Sequence, residues 1–358
     1  MTTDMSVRQR GIALIAVLLL LVFILTIVGG LFYRHQIHIQ KVTRSLVGEQ
    51  AQLFLLSAES WAKSVLEDDA RATGDVDHLG EIWARQLPVL PIEGGLISGC
   101  MMDLQSRINL NSLSEYSNRS WDIEINAGQA GNEQLTRRRL LKNLMVTLEM
   151  DDSDERLAAL VDWLDADSWL VSPSSAEDNE YLLLDPPYRA ANHSLTELSE
   201  LSLVQGFSTE DVVKLAPWVN IISVDSAINI NTAPPTILMA LSPSMSQSQA
   251  EVLAESRPFQ TLPEFYTMLA NVMGETQQTL EESIPSELLT VESSYFQLRA
   301  NVEVAGIRLE YNSVIHRDSG ARTAVLSRTL RYLPPVEEVN GSQVGADQRC
   351  QPVQEIET

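Results

Sequence analysis

The sequence predicts an α+β protein in which a long N-terminal transmembrane helix packs on an antiparallel sheet interrupted by a large helical insertion. Three observations predict it: an uncharged apolar run from Ile12 to Phe32, period-two alternation between Tyr295 and Tyr332, and short helical patterns with turn residues from Asn111 to Ser286.

The apolar run comes first. At a rise of 1.5 Å per residue its roughly 21 residues cover about 30 Å, the thickness of a hydrocarbon core. Arg8 and Arg10 precede it, and the positive-inside rule places them in the cytoplasm and everything after Phe32 outside. A secretory signal peptide, an uncleaved anchor and a cut ahead of the run are all open on this pattern. A signal peptide fits least, because its apolar stretch is shorter and ends in a small-x-small site. Here the run passes through Gly29 and Gly30 into Tyr33 and Arg34. Beyond Tyr33 the pattern turns amphipathic, with Val42, Leu46, Leu53, Leu56, Trp61 and Val65 on one predicted face and Lys41, Arg44, Glu49, Lys63 and Glu67 elsewhere. One helix from Ile12 to about Asp69 is the simplest reading.

The sheet follows in two parts. A strand-like stretch runs from Gly99 to Leu110, alternating in part. The second part is a meander: Phe296 to Val304, a turn at Gly306, Leu309 to Ile315, a turn at Asp318-Ser319-Gly320, and Ala324 to Leu330. Within the insertion, Ile228 to Pro234 followed by Ile237, Leu238, Leu241, Ala250, Leu253, Arg257-Pro258-Phe259 and Leu262 has the style of a helix-hairpin-helix unit. Its turn, Ser242-Pro243-Ser244-Met245, lacks the glycines whose flanking amides hold a phosphate in nucleic-acid-binding versions.

Charge argues the same way. Lys plus Arg number 25 against 48 Asp plus Glu, a formal charge of −23 over 358 residues. Such a surface repels phosphate backbones and favours divalent cations and basic proteins, so no nucleic-acid partner is expected. The cysteines are Cys100 and Cys350, with no C-x-x-C spacing for zinc or redox work. They form one bridge in an oxidising compartment or stay two unrelated thiols. His35, His38, His78, His193 and His316 are scattered, and no catalytic arrangement is evident.

The most specific stretch is Leu157 to Tyr188, which holds Asp162, Asp165, Asp167, Glu177, Asp178, Glu180 and Asp185 and no Lys or Arg. Seven like charges without a local countercharge repel one another. They form a solvated face or they share a cation, and interleaved Trp163, Trp169, Tyr181, Pro186-Pro187 and Tyr188 favour a packed loop. Calcium suits such an oxygen-rich, flexible site in an exported domain.

Three groups of residues carry a family resemblance. The first is the basic leader ending in Gly11 before an apolar helix, with Ala16 at the fifth position after that glycine. The second is Asp162-Trp163-Leu164-Asp165-Ala166-Asp167 with Glu177-Asp178-Asn179-Glu180-Tyr181, and the third is Pro186-Pro187-Tyr188-Arg189-Ala190-Ala191-Asn192. Together they resemble the minor pseudopilins of the K type in type II secretion, over nearly the whole chain to about Pro335. The resemblance implies a pilin-like fold with a SAM or helix-hairpin-helix-like insertion, and a structural role, not an enzyme's, at the tip of a secretion pseudopilus. It implies leader cleavage by a prepilin peptidase between Gly11 and Ile12, and N-methylation of Ile12. It implies docking with other minor pseudopilins, an inner-membrane anchor and a periplasmic head. Most pilins carry Glu where this chain has Ala16, and that Glu pairs with the amine of the next subunit, so its absence suits a tip position. It also implies calcium held in the insertion, for which Asp165, Asp167, Glu177 and Asp178 are the expected ligands, with backbone oxygens near Ser168 and Tyr181.

The expected organisation is a leader at 1–11, the N-terminal helix at 12–69, a pilin-like head at 70–112 and 287–335, the inserted helical domain at 113–286, and a tail at 336–358. A membrane-anchored helix-hairpin-helix protein of DNA uptake is the alternative function.

Overall fold

The computed structural model describes residues 6–74, 76–86, 88–114, 135–151, 153–223 and 225–333. Helix α1 spans Ser6–Thr73 without a break. It carries an apolar window of mean hydropathy 3.1, none of which is buried against the rest of the protein.

The upper half of α1 lies on a five-stranded antiparallel sheet. Its strands are β1 (Leu90–Ile92), β2 (Gly95–Asp103), β7 (Tyr295–Val304), β8 (Ile307–Arg317) and β9 (Thr323–Leu333), in the order β1-β2-β7-β8-β9. The meander read from the sequence is thus β7 to β9. Its first turn is the two-residue Ala305-Gly306 loop, with φ of 46° and 79°, the left-handed pair that matches strand twist. At the β1–β2 hairpin, a side chain on Gly95 would meet the Glu303 carbonyl at 1.7 Å, so only glycine lets β2 approach β7 there. On β7, Phe296, Leu298, Ala300, Val302 and Val304 all point to the α1 face, where Trp83 meets Phe296 edge-on at 5.1 Å.

Two expectations need correction. The face of α1 that packs on the sheet is Gly48, Ala51, Leu55, Glu59, Ala62 and Leu66, whereas Val42, Leu46, Leu53, Leu56 and Trp61 are exposed and Val65 is half-buried. Small residues let the helix sit close to the pleated strands, and the bulkier stripe is left outward. The strand-like stretch from Gly99 to Leu110 is also broken: β2 ends at Asp103, whose carboxylate accepts the Gln105 N–H at 2.7 Å and starts a 3₁₀ turn at Leu104–Ser106.

The insertion fills the sequence between β2 and β7, two adjacent strands, and has a core of its own. It contains β3 (Ile108–Asn109), α2 (Arg137–Thr147), α3 (Ser153–Leu164), α4 (Asp178–Tyr181), α5 (Thr209–Leu215), β4 (Val219–Asn220), β5 (Ile228–Asn229), α6 (Pro235–Met239), α7 (Gln247–Glu255), α8 (Leu262–Met273), α9 (Gln277–Ser283) and β6 (Leu289–Thr290). Helix α3 is central: every residue from Leu157 to Leu164 is buried.

Insertion and head meet at a buried polar joint. Asp103 of β2 accepts hydrogen bonds from Thr232 Oγ1 (2.5 Å) and Ser293 Oγ (2.6 Å). Arg317 of β8 donates to both Asp77 oxygens at 2.5 and 2.6 Å and to the Ser293 carbonyl at 2.9 Å, and stands 3.6 Å from Asp69 at the end of α1.

Candidate functional site

The acidic loop hangs from the C-terminal end of α3. That helix presents Asp162 and Asp165 three residues apart, on one face, and both are buried. Asp162 Oδ1 accepts the Val171 N–H at 3.0 Å, which folds the chain after α3 back over the helix end. Glu177 ahead of α4 is buried too.

These three side chains hold oxygens short of donors. Asp162 Oδ2, Asp165 Oδ2 and both oxygens of Glu177 are buried without a well-aligned donor, although the Ser175 hydroxyl lies beside Asp162 and the Asp178 N–H beside Glu177. Burial pushes Asp162 up to about 6, with repulsion from Asp167 and Glu180 added. Asp165 rises to about 6 through burial and then Asp167 and Asp162, and Glu177 to about 7 through burial and then Asp162 and Asp165. The mutual repulsion places the three in one field. A buried ionised carboxylate with no donor costs several kcal/mol, a cost that protonation or a hard cation removes.

The four expected ligands do not all stand there. Asp165 and Glu177 are both buried and repel one another. Asp167 is exposed, with Oδ1 accepting the Trp169 N–H at 2.8 Å. Asp178 turns to Arg189, which donates to Oδ2 at 2.6 Å, and its Oδ1 accepts the Ala190 N–H at 3.1 Å. The Tyr181 carbonyl accepts from Leu184 and Tyr188 N–H at 3.3 and 3.4 Å. Asp162, which joins this buried group, was not among the expected ligands because its place at the end of a helical pattern reads as outward. The signal that finds it is its setting between Val161 and Trp163, inside an eight-residue run that is apolar apart from it.

A second acidic group lies in the joint. Asp69, Asp77 and Glu81 each offer an oxygen within 4.8 Å of the others. The Arg317 guanidinium already stands against two of them, and its face lies 4.9 Å over the Phe296 ring, so the cation of this cluster is a side chain. Asp162, Asp165 and Glu177 do not close to that spacing, as three uncompensated carboxylates would not.

The outward stripe on α1 is the other candidate surface. Val42 is 45% exposed, Leu46 60% and Leu53 64%, and they continue the apolar membrane run upward.

Comparison with known proteins gives the family. Two family models, both described as type II secretion system protein K, match residues 106–224 and 228–284. The type II secretion system protein K of Aeromonas hydrophila is 32% identical over 333 residues, covering 90% of this chain and 97% of its own length. The chain belongs to the type II secretion system protein K family. The Pseudomonas aeruginosa member is 31% identical over 352 residues, covering 95% of this chain and 99% of its own length. A chain in the crystal structure of the GspK-GspI-GspJ complex of the enterotoxigenic Escherichia coli Type 2 Secretion System superposes with a TM-score of 0.67 at 27% identity, covering 79% of this chain and 96% of that one. The protein K fold is therefore shared across the head and insertion, with the long apolar helix at its base.

Proposed function

We propose that this protein is a structural minor pseudopilin of type II secretion, anchored in the inner membrane by α1, with its head in the periplasm, and placed at the tip of the pseudopilus. The observation that carries the assembly role is the exposed apolar stripe of α1. A membrane explains exposure only as far as about Tyr33, whereas Val42, Leu46 and Leu53 stand about 15 to 30 Å above it and need protein partners. The crystallised relative sits in a complex with GspI and GspJ. Sister pseudopilins on this stripe are the matching partners here.

The tip position rests on Ala16 and on the bulk of the insertion, which makes the head wider than its stem. A subunit with none ahead of it has no amine for a carboxylate at that position to pair with, and an unpaired one in lipid is costly. The head then initiates or caps assembly and supports export across the outer membrane. Processing by a prepilin peptidase between Gly11 and Ile12, with methylation of Ile12, completes the reading. Nothing in the acidic surface or the Ser242 to Met245 turn recommends the DNA-uptake alternative.

Calcium belongs to the same proposal. Asp162, Asp165 and Glu177 would hold it, and its chemistry there is the neutralisation of buried carboxylates. Asp167 lies next to them, while Asp178 serves the loop through Arg189. A Cys100–Cys350 bridge is also proposed: Cys100 is buried on β2 and no cysteine among the described residues is a free thiol, while Cys350 lies outside them.

Mass spectrometry of the N-terminal peptide of the native protein tests the reading. A mature chain that starts at methylated Ile12 is expected. A chain that starts past Phe32 would end it.

A further inference from the structure

The carboxylate loop also carries the most exposed apolar side chains of the head. Leu183 is 87% exposed and Trp169 74%, flanked by Leu170 (42%), Leu182 (45%) and Leu184 (47%). Single exposed leucines are ordinary on protein surfaces, but five large apolar side chains on two segments of one loop are not. The two segments bracket the same core. Val171, next to Leu170, donates its N–H to Asp162 of α3 at 3.0 Å, and Tyr181, next to Leu182, meets Trp163 of the same helix edge-on at 5.2 Å.

The patch is held, not loose. The Trp169 N–H is bound by Asp167, and Leu183 and Leu184 donate to the Glu180 and Tyr181 carbonyls at 3.2 and 3.3 Å. Tyr181 is buried beneath them, stacked on Tyr188 at 5.3 Å. Side chains presented from a fixed backbone lose little entropy on docking, and tryptophan is the residue most enriched at binding hot spots. The rim is acidic: Asp167, Glu180 and Asp185 are all exposed, and Arg189, the first cation after the loop, is engaged with Asp178.

We infer that this patch is a docking surface for a protein partner that offers an apolar socket ringed by Lys and Arg. Charge decides between occupants. A second copy of this chain brings the same carboxylates and an overall charge of −23, and an anionic lipid surface is repelled in the same way. A basic-rimmed protein is drawn in and held in register by the same field. The surface lies on the insertion and not on α1.

The experiment places the photoreactive amino acid benzoylphenylalanine at position 183 of the full chain in secreting cells, with position 213 as control. Val213 on α5 is 69% exposed but stands outside the patch. The expected result is a crosslink from position 183, absent from position 213, to a protein peptide whose apolar residue is flanked by Lys or Arg. Glu180→Lys with Asp185→Lys is expected to lower its yield at least tenfold without changing co-purification with other pseudopilins. A crosslink to lipid or to another copy of this chain, no crosslink, equal crosslinks from both positions, or a yield indifferent to charge reversal would each overturn the inference.

Discussion

Glu59 is buried on the sheet-facing side of α1 and receives four hydrogen bonds. Tyr311 Oη and Ser313 Oγ donate to Oε2 at 2.6 and 2.7 Å, and Arg328 donates through Nε at 2.9 Å and Nη2 at 2.8 Å. Burial alone would raise its pKa, yet the Arg328, Tyr311 and Ser313 donors win and lower it from 4.5 to about 2. At about 1.4 kcal/mol per pH unit this shift corresponds to about 3 kcal/mol of stability, and the half-exposed guanidinium lets water screen it to about 2. Because the folded pKa is depressed, the contribution is full above pH 4.5 and is lost as pH falls through about 2. Glu59→Gln keeps the shape and removes the charge. Urea unfolding of the full chain in detergent is expected to show the variant about 2 kcal/mol less stable at pH 7, with the gap closing below about pH 4.5. Equal stability at pH 7, or a gap unchanged down to pH 2.5, would refute the reasoning.

Removing calcium with a chelator is expected to lower the melting temperature of the purified chain by about 3 to 6 °C, as a ligand held at a hundred times its dissociation constant does; Asp162→Asn should abolish the response in calorimetry. Ala305 holds φ of 46° at a turn position that favours asparagine, so Ala305→Asn should add about 0.5 to 1 kcal/mol in the same urea assay. Non-reducing peptide mapping is expected to find Cys100 joined to Cys350, and reduction to cost about 3 to 5 kcal/mol for so long a loop; two alkylatable thiols in the native protein would count against the bridge.

The sheet was legible because period-two alternation runs cleanly through β7 and each turn carries its own signal, Ala305-Gly306 and Asp318 to Gly320, whereas β8 and β9 alternate only in part and their pairing is bulged at Val314 and Ile315. The apolar helix was legible from length alone. The packing face of α1 was not, since hydrophobicity names the stripe that seeks a partner and not which partner it finds. Val42, Leu46 and Leu53 are apolar because other chains cover them on the proposed reading, while the sheet takes the small residues and Glu59. A buried glutamate in that face looks polar in sequence, because its donors, Tyr311, Ser313 and Arg328, lie about 250 residues away. The carboxylate loop was legible as a cluster and not as a shell. Composition shows seven acids without a countercharge, but the turn of α3 that buries Asp162 and the reach of Arg189 to Asp178 are three-dimensional facts.

Three polar fastenings therefore set α1 on its sheet: Glu59, Glu67, whose Oε1 accepts from Thr323 Oγ1 at 2.6 Å and its N–H at 3.2 Å, and the Asp69 end, where Arg317 also donates to the Leu66 carbonyl at 3.3 Å. The first and last stand ten residues apart, about 15 Å along the axis. Apolar contacts tolerate some sliding, at Ala51 and Ala62 more than at Leu55 and Leu66. A buried carboxylate whose donors sit on fixed strands does not, since a slip of one residue leaves it charged and unpaired at a cost of about 3 to 5 kcal/mol. For a subunit that joins its neighbours through the outer face of the same helix, as proposed above, that register is functional. It fixes the azimuth of Val42, Leu46 and Leu53 relative to the head, and with it the direction in which the insertion and its exposed Trp169 and Leu183 face once the stem is docked.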